Sequence, residues 1–238
     1  MQVPAGGAAG QTPLARLESE LTACRRCPRL VAWREQVATV RRAAFADQEY
    51  WGRPVPGFGD PQARIVVLGL APAAHGGNRT GRVFTGDRSG DWLFAALWRA
   101  GLASQPESIS AHDGLALRDC WVTAAVRCAP PANRPAPDER DRCGVWLAAE
   151  LSLLTRARVV VCLGGFAWDA ALRTLHAPRP RRSFGHGVEL ALGKLTLIGS
   201  YHVSQQNTFT GRLTEPMLDV VFARALELAG CEGTAATP

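Results

Sequence analysis

Ile65-Val66-Val67-Leu68-Gly69-Leu70-Ala71-Pro72-Ala73-Ala74-His75-Gly76 organises the rest of the chain. Four apolar residues, Ile65 to Leu68, closed by Gly69 and broken by Pro72 predict a buried strand that empties into a loop of small residues. Val83-Phe84-Thr85-Gly86-Asp87-Arg88-Ser89-Gly90-Asp91 follows, bringing an aromatic face and a carboxylate into the same strand-to-helix connection, ahead of an amphipathic segment from Trp92 to Ala100. In open parallel sheets, ligands sit beyond the carboxyl ends of the strands, so this connection is the first place to seek a site.

Working outward, the same unit recurs. Cys120 to Val126, Val159 to Leu163 and Leu195 to Ser200 read as further strands. Helical segments follow from Pro137 to about Leu154, from Ala167 to Leu175, and from Thr214 through Pro216 to about Ala229. Strand, loop and helix repeated four times predict a three-layer α/β/α sandwich around a central four-stranded, mostly parallel sheet. Before it, Leu14 to Arg34 reads as helical and Arg41 to Asp60 as an irregular Pro/Gly/aromatic loop. Residues 13–230 form the single expected domain, flanked by a disordered tail over 1–12 and a flexible one over 231–238.

The 238 residues are 47% hydrophobic, enough for a large core, and no apolar run of about 18 residues suggests a membrane span. Met1 to Thr12 has neither a basic start nor an apolar segment, so a cytoplasmic protein is expected, and a monomer is the default expectation because no sequence feature marks a protein interface. The net charge is +6, and Lys194 is the one lysine among 27 basic residues. Arginine suits bidentate phosphate contact, which favours a polyanionic partner, although abundant Arg beside abundant Ala also fits a GC-rich coding sequence.

Seven cysteines in a reducing compartment call for a reason other than disulfides. Cys24-Arg25-Arg26-Cys27 is a close pair; Cys128 and Cys143 come much later, and all four can converge on one tetrahedral or cubane metal site. Cys120 and Cys162 lie in apolar runs and read as core, with Cys231 a bystander.

Asp87, Asn133, His202 and Asn207 each follow a strand, on the side where the carboxyl ends meet. Each also has a structural reading: Asp87 as a helix cap, Asn133 as closure of a Pro-rich turn, His202 as a hydrogen-bonding core residue.

Gly69 to Gly76 with Asn78-Arg79-Thr80-Gly81-Arg82-Val83-Phe84-Thr85-Gly86-Asp87, and then Tyr201-His202-Val203-Ser204-Gln205-Gln206-Asn207, resemble the family 5 (type B) branch of the uracil-DNA glycosylase superfamily. The cysteine layout is similar to the iron-sulfur site of families 4 and 5. The resemblance implies a monofunctional enzyme that flips uracil out of DNA and hydrolyses its N-glycosidic bond. Phe84 would stack on the base, and Gly69, Ala71, Pro72 and Ala73 would line its pocket. His202 would donate to the base oxygen, and Asp87 would face the sugar and orient water. Asn133, counted among the catalytic residues, and Asn207 would contact the flipped nucleotide or abasic sugar, while Gln205, Gln206 or Arg212 would meet the DNA beside the lesion and fill the vacated base stack. Cys24, Cys27, Cys128 and Cys143 would hold a [4Fe-4S] cluster, with zinc the lesser alternative.

Two positions depart from sister families. Ala71 stands where several carry Asp, Asn or Glu, and Ala124 where family 4 carries a base-reading Asn. Both imply a less strict pocket, open to other deaminated or modified bases in DNA. Lys194 precedes a strand, far from the carboxyl ends, which argues against amine-based lyase chemistry. Two other readings remain: a catalytically silent iron-sulfur DNA-binding protein of the same fold, and an α/β hydrolase acting on free nucleotides.

Overall fold

The computed structural model describes residues 11–231. One sheet of six strands runs through it, in the order β1-β3-β2-β4-β6-β5. The four expected strands form its parallel centre: β2 (Ile65–Gly69), β3 (Cys120–Ala124), β4 (Val159–Leu163) and β6 (Leu195–Ser200). The four-strand expectation falls short because two short edge strands pair antiparallel with the outer members, β1 (Phe58–Gly59) on β3 and β5 (Glu189–Leu192) on β6. Neither has the apolar run that marks a buried strand; β5 alternates exposed and half-buried residues, as an edge strand does.

Side-chain alternation along β2 divides the core. Ile65 and Val67 face one layer with Leu93, Phe94 and Leu97 of α4 (Arg88–Arg99) and Leu218, Val221 and Phe222 of α8 (Glu215–Ala229). Val66 and Leu68 face the other, with Leu147 and Leu151 of α5 (Pro137–Leu153) and Trp168 and Leu172 of α6 (Gly165–Thr174). β2 is wholly buried on both faces, which is why its sequence is a continuous apolar run.

The chain leaves β2 toward β3 and returns past it to β4, so the strand order reverses at β2 and β4. Their carboxyl ends are the crevice where such sheets bind ligands. Three local departures bear on that crevice. A one-turn α3 (Gly77–Thr80) interrupts the loop after β2, and α4 begins at Arg88 rather than Trp92. The N-terminal helical segment is two helices, α1 (Pro13–Thr22) and α2 (Pro28–Val40), with Cys24 and Cys27 at their joint. Residues 1–10 and 232–238 of the expected tails lie outside the described residues; Thr12 caps α1 by accepting from the Ala15 N–H.

Candidate active site

Phe84 sits where its backbone must be strained. Its φ is +52°, in the region that disfavours residues with a side chain, and such strain concentrates at functional sites. The ring rests against the backbone of Gly69 at the end of β2, where an added Cβ would lie 2.5 Å from Cζ. Across the crevice the His202 imidazole lies 6.2 Å from the Phe84 ring, centroid to centroid. His202 follows β6 and packs against Gly164 at the end of β4, whose φ of +89° only glycine adopts easily. Burial pushes the imidazole down to about 4, so it is neutral near pH 7.

Asp87 serves as the cap of α4, as its structural reading anticipates: one oxygen, Oδ1, accepts from the N–H groups of Ser89 and Gly90 at 3.0 and 3.1 Å. The other, Oδ2, points at Gly76, where an added Cβ would come within 2.0 Å of it. Burial raises this carboxyl, while the two helix N–H donors and Arg79 act in the opposite direction. Capping therefore occupies half the carboxylate and leaves the other half turned toward the loop after β2.

The remaining candidates separate. Asn207, in α7 (Gln205–Phe209), donates from Nδ2 to the His202 carbonyl at 2.8 Å, which holds the histidine loop. It lines a cavity of about 240 Å³ with His202, Tyr201, Phe184 and Arg212. The Arg212 guanidinium lies 4.7 Å above the Tyr201 ring, and Gln205 and Gln206 are exposed on α7. Asn133 is exposed on the turn Pro131–Asn133 at φ +54° and does not line this cavity, and neither do Phe84 and Asp87. Pro72 is buried against Gly77, and Ala71 packs against the group of Leu30, Val126 and Cys128.

The sequence reading misses Phe209, 68% exposed at the end of α7 with the Arg88 guanidinium 5.0 Å above its ring. It also misses Phe166 and Phe184 on the cavity wall. An aromatic within the polar run Gln205 to Thr210 is the signal that points to Phe209.

Cys24, Cys27, Cys128 and Cys143 line one small cavity between α2, α5 and the end of β3. Arg34, 2% exposed, donates to the Cys128 Sγ at 2.9 Å, and the Arg127 N–H donates to the Cys143 Sγ at 3.3 Å. Burial pushes the Cys128 and Cys143 thiols up, to about 11 and about 12, against the pull of Arg34 and Arg127. Among the described residues no three His, Cys, Asp or Glu side chains are drawn together around a single ion. Cys120 and Cys162 are fully buried in the core.

With this geometry established, the sequence profile of the Uracil DNA glycosylase superfamily matches residues 56–226. The chain belongs to that superfamily. A type-5 uracil-DNA glycosylase of Mycobacterium bovis is 58% identical over 230 residues, 94% of this chain and 85% of the relative. One from Thermus thermophilus is 54% identical, covering 88% of this chain and 95% of its own. A type-4 enzyme of Archaeoglobus fulgidus matches less, 36% identical over 48% of this chain and 49% of its own. Within the uracil DNA glycosylase superfamily the chain thus falls in the type-5 branch, and the matched region spans every strand and loop of the crevice.

Proposed function

We propose that this protein removes uracil from DNA by hydrolysing the N-glycosidic bond, leaving an abasic site. What supports the reading is the Phe84 ring 6.2 Å from the neutral His202 imidazole where the strand order reverses, with the half-capped Asp87 carboxylate three residues after Phe84, in a type-5 chain. An extruded base would stack on Phe84. Negative charge grows on the base as the bond breaks, and the neutral His202 donates a hydrogen bond to the oxygen where it accumulates. Asp87 Oδ2, held in place by the helix cap, faces the sugar as it becomes cationic and orients the attacking water. The exposed Lys194 donates to the Thr155 carbonyl before β6, so no lysine serves the crevice, and the reaction is monofunctional.

Ala124 is buried at the end of β3 and Ala71 lies after β2, and neither can read a base edge. A pocket with fewer polar tests at its wall accepts other deaminated bases beside uracil. Phe209, beside the His202 loop, is placed to enter the stack that the flipped base vacates.

The four cysteines fit an iron-sulfur cluster. A buried guanidinium donating to sulfur, with its Nε unpartnered among the described residues, suits thiolates carrying negative charge. Four thiols lining one cavity supply the four-thiolate ligation that a cubane cluster takes, with zinc the lesser alternative. Cys24, Cys27, Cys128 and Cys143 would hold it, and it would brace α1 and α2 against the start of α5. Incubating the protein with uracil-containing oligonucleotides, followed by alkaline cleavage, tests the function; intact strands from both single- and double-stranded substrates would refute it.

A further inference from the structure

Asp87 owes part of its placement to the α4 cap, and a second contribution comes from the same strand-to-helix connection. Arg79, in α3, uses all three guanidinium nitrogens, two of them on the backbone that flanks Asp87. Nε donates to the His75 carbonyl at 2.8 Å, Nη2 to the Gly86 carbonyl at 3.0 Å, and Nη1 to Gln48 Oε1 at 2.6 Å. Its guanidinium carbon lies 4.0 Å above the Phe45 ring, a cation–π contact that fixes the plane of the fork. His75 immediately precedes Gly76, the residue facing Asp87 Oδ2, and Gly86 immediately precedes Asp87. Two glycines make the approach feasible, since a Cβ on Gly86 would come 2.3 Å from Arg79 Nη2.

We propose that Arg79 is a positioning residue for excision, a fork that clamps the His75–Gly76 and Gly86–Asp87 backbones together and so sets the direction of Asp87 Oδ2. The inference rests on the catalytic reading of Asp87 given above. Arg79 touches no reacting atom in this arrangement, so its contribution lies in the chemical step rather than in holding DNA. Lysine keeps the charge but carries its three N–H donors on a single nitrogen, so it cannot reproduce a fork that reaches the two carbonyls from separate nitrogens, and it should preserve part of the effect.

Single-turnover excision of uracil from an oligonucleotide, with Arg79→Gln, Arg79→Lys, Asp87→Asn and the Arg79→Gln/Asp87→Asn double variant, tests it. The expected result is a rate constant for Arg79→Gln lower on the order of 10²-fold, with half-saturating enzyme concentration changed less than about threefold, and Arg79→Lys in between. In the Asp87→Asn background, Arg79→Gln should cost little more, because the two residues act as one unit. Equal losses in both backgrounds, or a rate within about twofold of the parent, would overturn the clamp. Should Arg79→Gln fail to fold, Arg79→Lys carries the same comparison. An unimpaired Asp87→Asn would sink the reading of Asp87 itself, independently of Arg79.

Discussion

The Phe84 ring and the backbone of Gly69 touch so closely that a methyl group on Gly69 would lie 2.5 Å from Cζ, a separation real Cβ atoms essentially never show. The end of β2 thus fixes where the stacking face stands. Gly69→Ala should displace the ring, at a cost of about 1–3 kcal/mol in stability. The rate of uracil excision should fall by about tenfold or more, and excision assays alongside thermal unfolding check both effects.

The His202 imidazole carries a pH signature. Its pKa in the fold is about 4, below the ordinary 6.5, so between these values the unfolded chain binds the proton more tightly. Stability contributed by this group is complete above about pH 6.5 and declines as pH falls toward 4. His202→Gln should therefore flatten the dependence of Tm on pH across that window. An unchanged slope would show that the ring is solvated in the fold.

Phe209 is exposed, so Phe209→Ala should leave stability within about 0.5 kcal/mol. If it fills the vacated stack, excision from duplex DNA should fall about tenfold while excision from single strands changes less, because only the duplex has a stack to repair. Equal effects on both substrates would remove that role.

Cys143→Ser or Cys24→Ser should abolish iron content and broad visible absorption in anaerobically purified protein. Thermal unfolding should drop by about 2–4 °C for each kcal/mol of bracing lost. A colourless parent protein containing zinc would reverse the assignment of the metal.

The acid side of the loop ahead of β3 has its own marker. Partial burial works to raise Asp113, yet Arg82 and the N–H groups of Leu115, Ile109 and Ser110 outweigh it and hold the carboxyl at about 2. A depressed folded pKa gives stability that is present above the ordinary 3.8 and lost as pH falls toward 2. Asp113→Asn should remove that loss from acid unfolding curves while lowering stability at pH 7.

The parallel centre of the sheet is legible because a strand buried on both faces has to be apolar throughout, as β2 and β4 are. The edge strands β1 and β5 escape notice, since the two half-buried residues of β1 are too few for a pattern and the four of β5 alternate without an apolar run. Phe84, Asp87 and His202 are readable as residues following strands, but their mutual placement depends on strand order, which the chain does not spell out. Asn133 shows the converse: it follows β3 yet is exposed, because the left-handed residues Ala132 and Asn133 turn the loop. The double duty of Asp87 and the three bonds of Arg79 come from tertiary approach between segments, and composition alone cannot reveal them.

The thiol cavity joins segments far apart in the chain: Cys24 and Cys27 lie at the α1–α2 joint, and Cys143 lies within α5. During synthesis the first pair leaves the ribosome long before its partners exist. The four-thiol enclosure can therefore close only once α5 has emerged, when β1, β2 and β3 have been made and β4, β5 and β6 have not, so the thiols can gather before the sheet is complete.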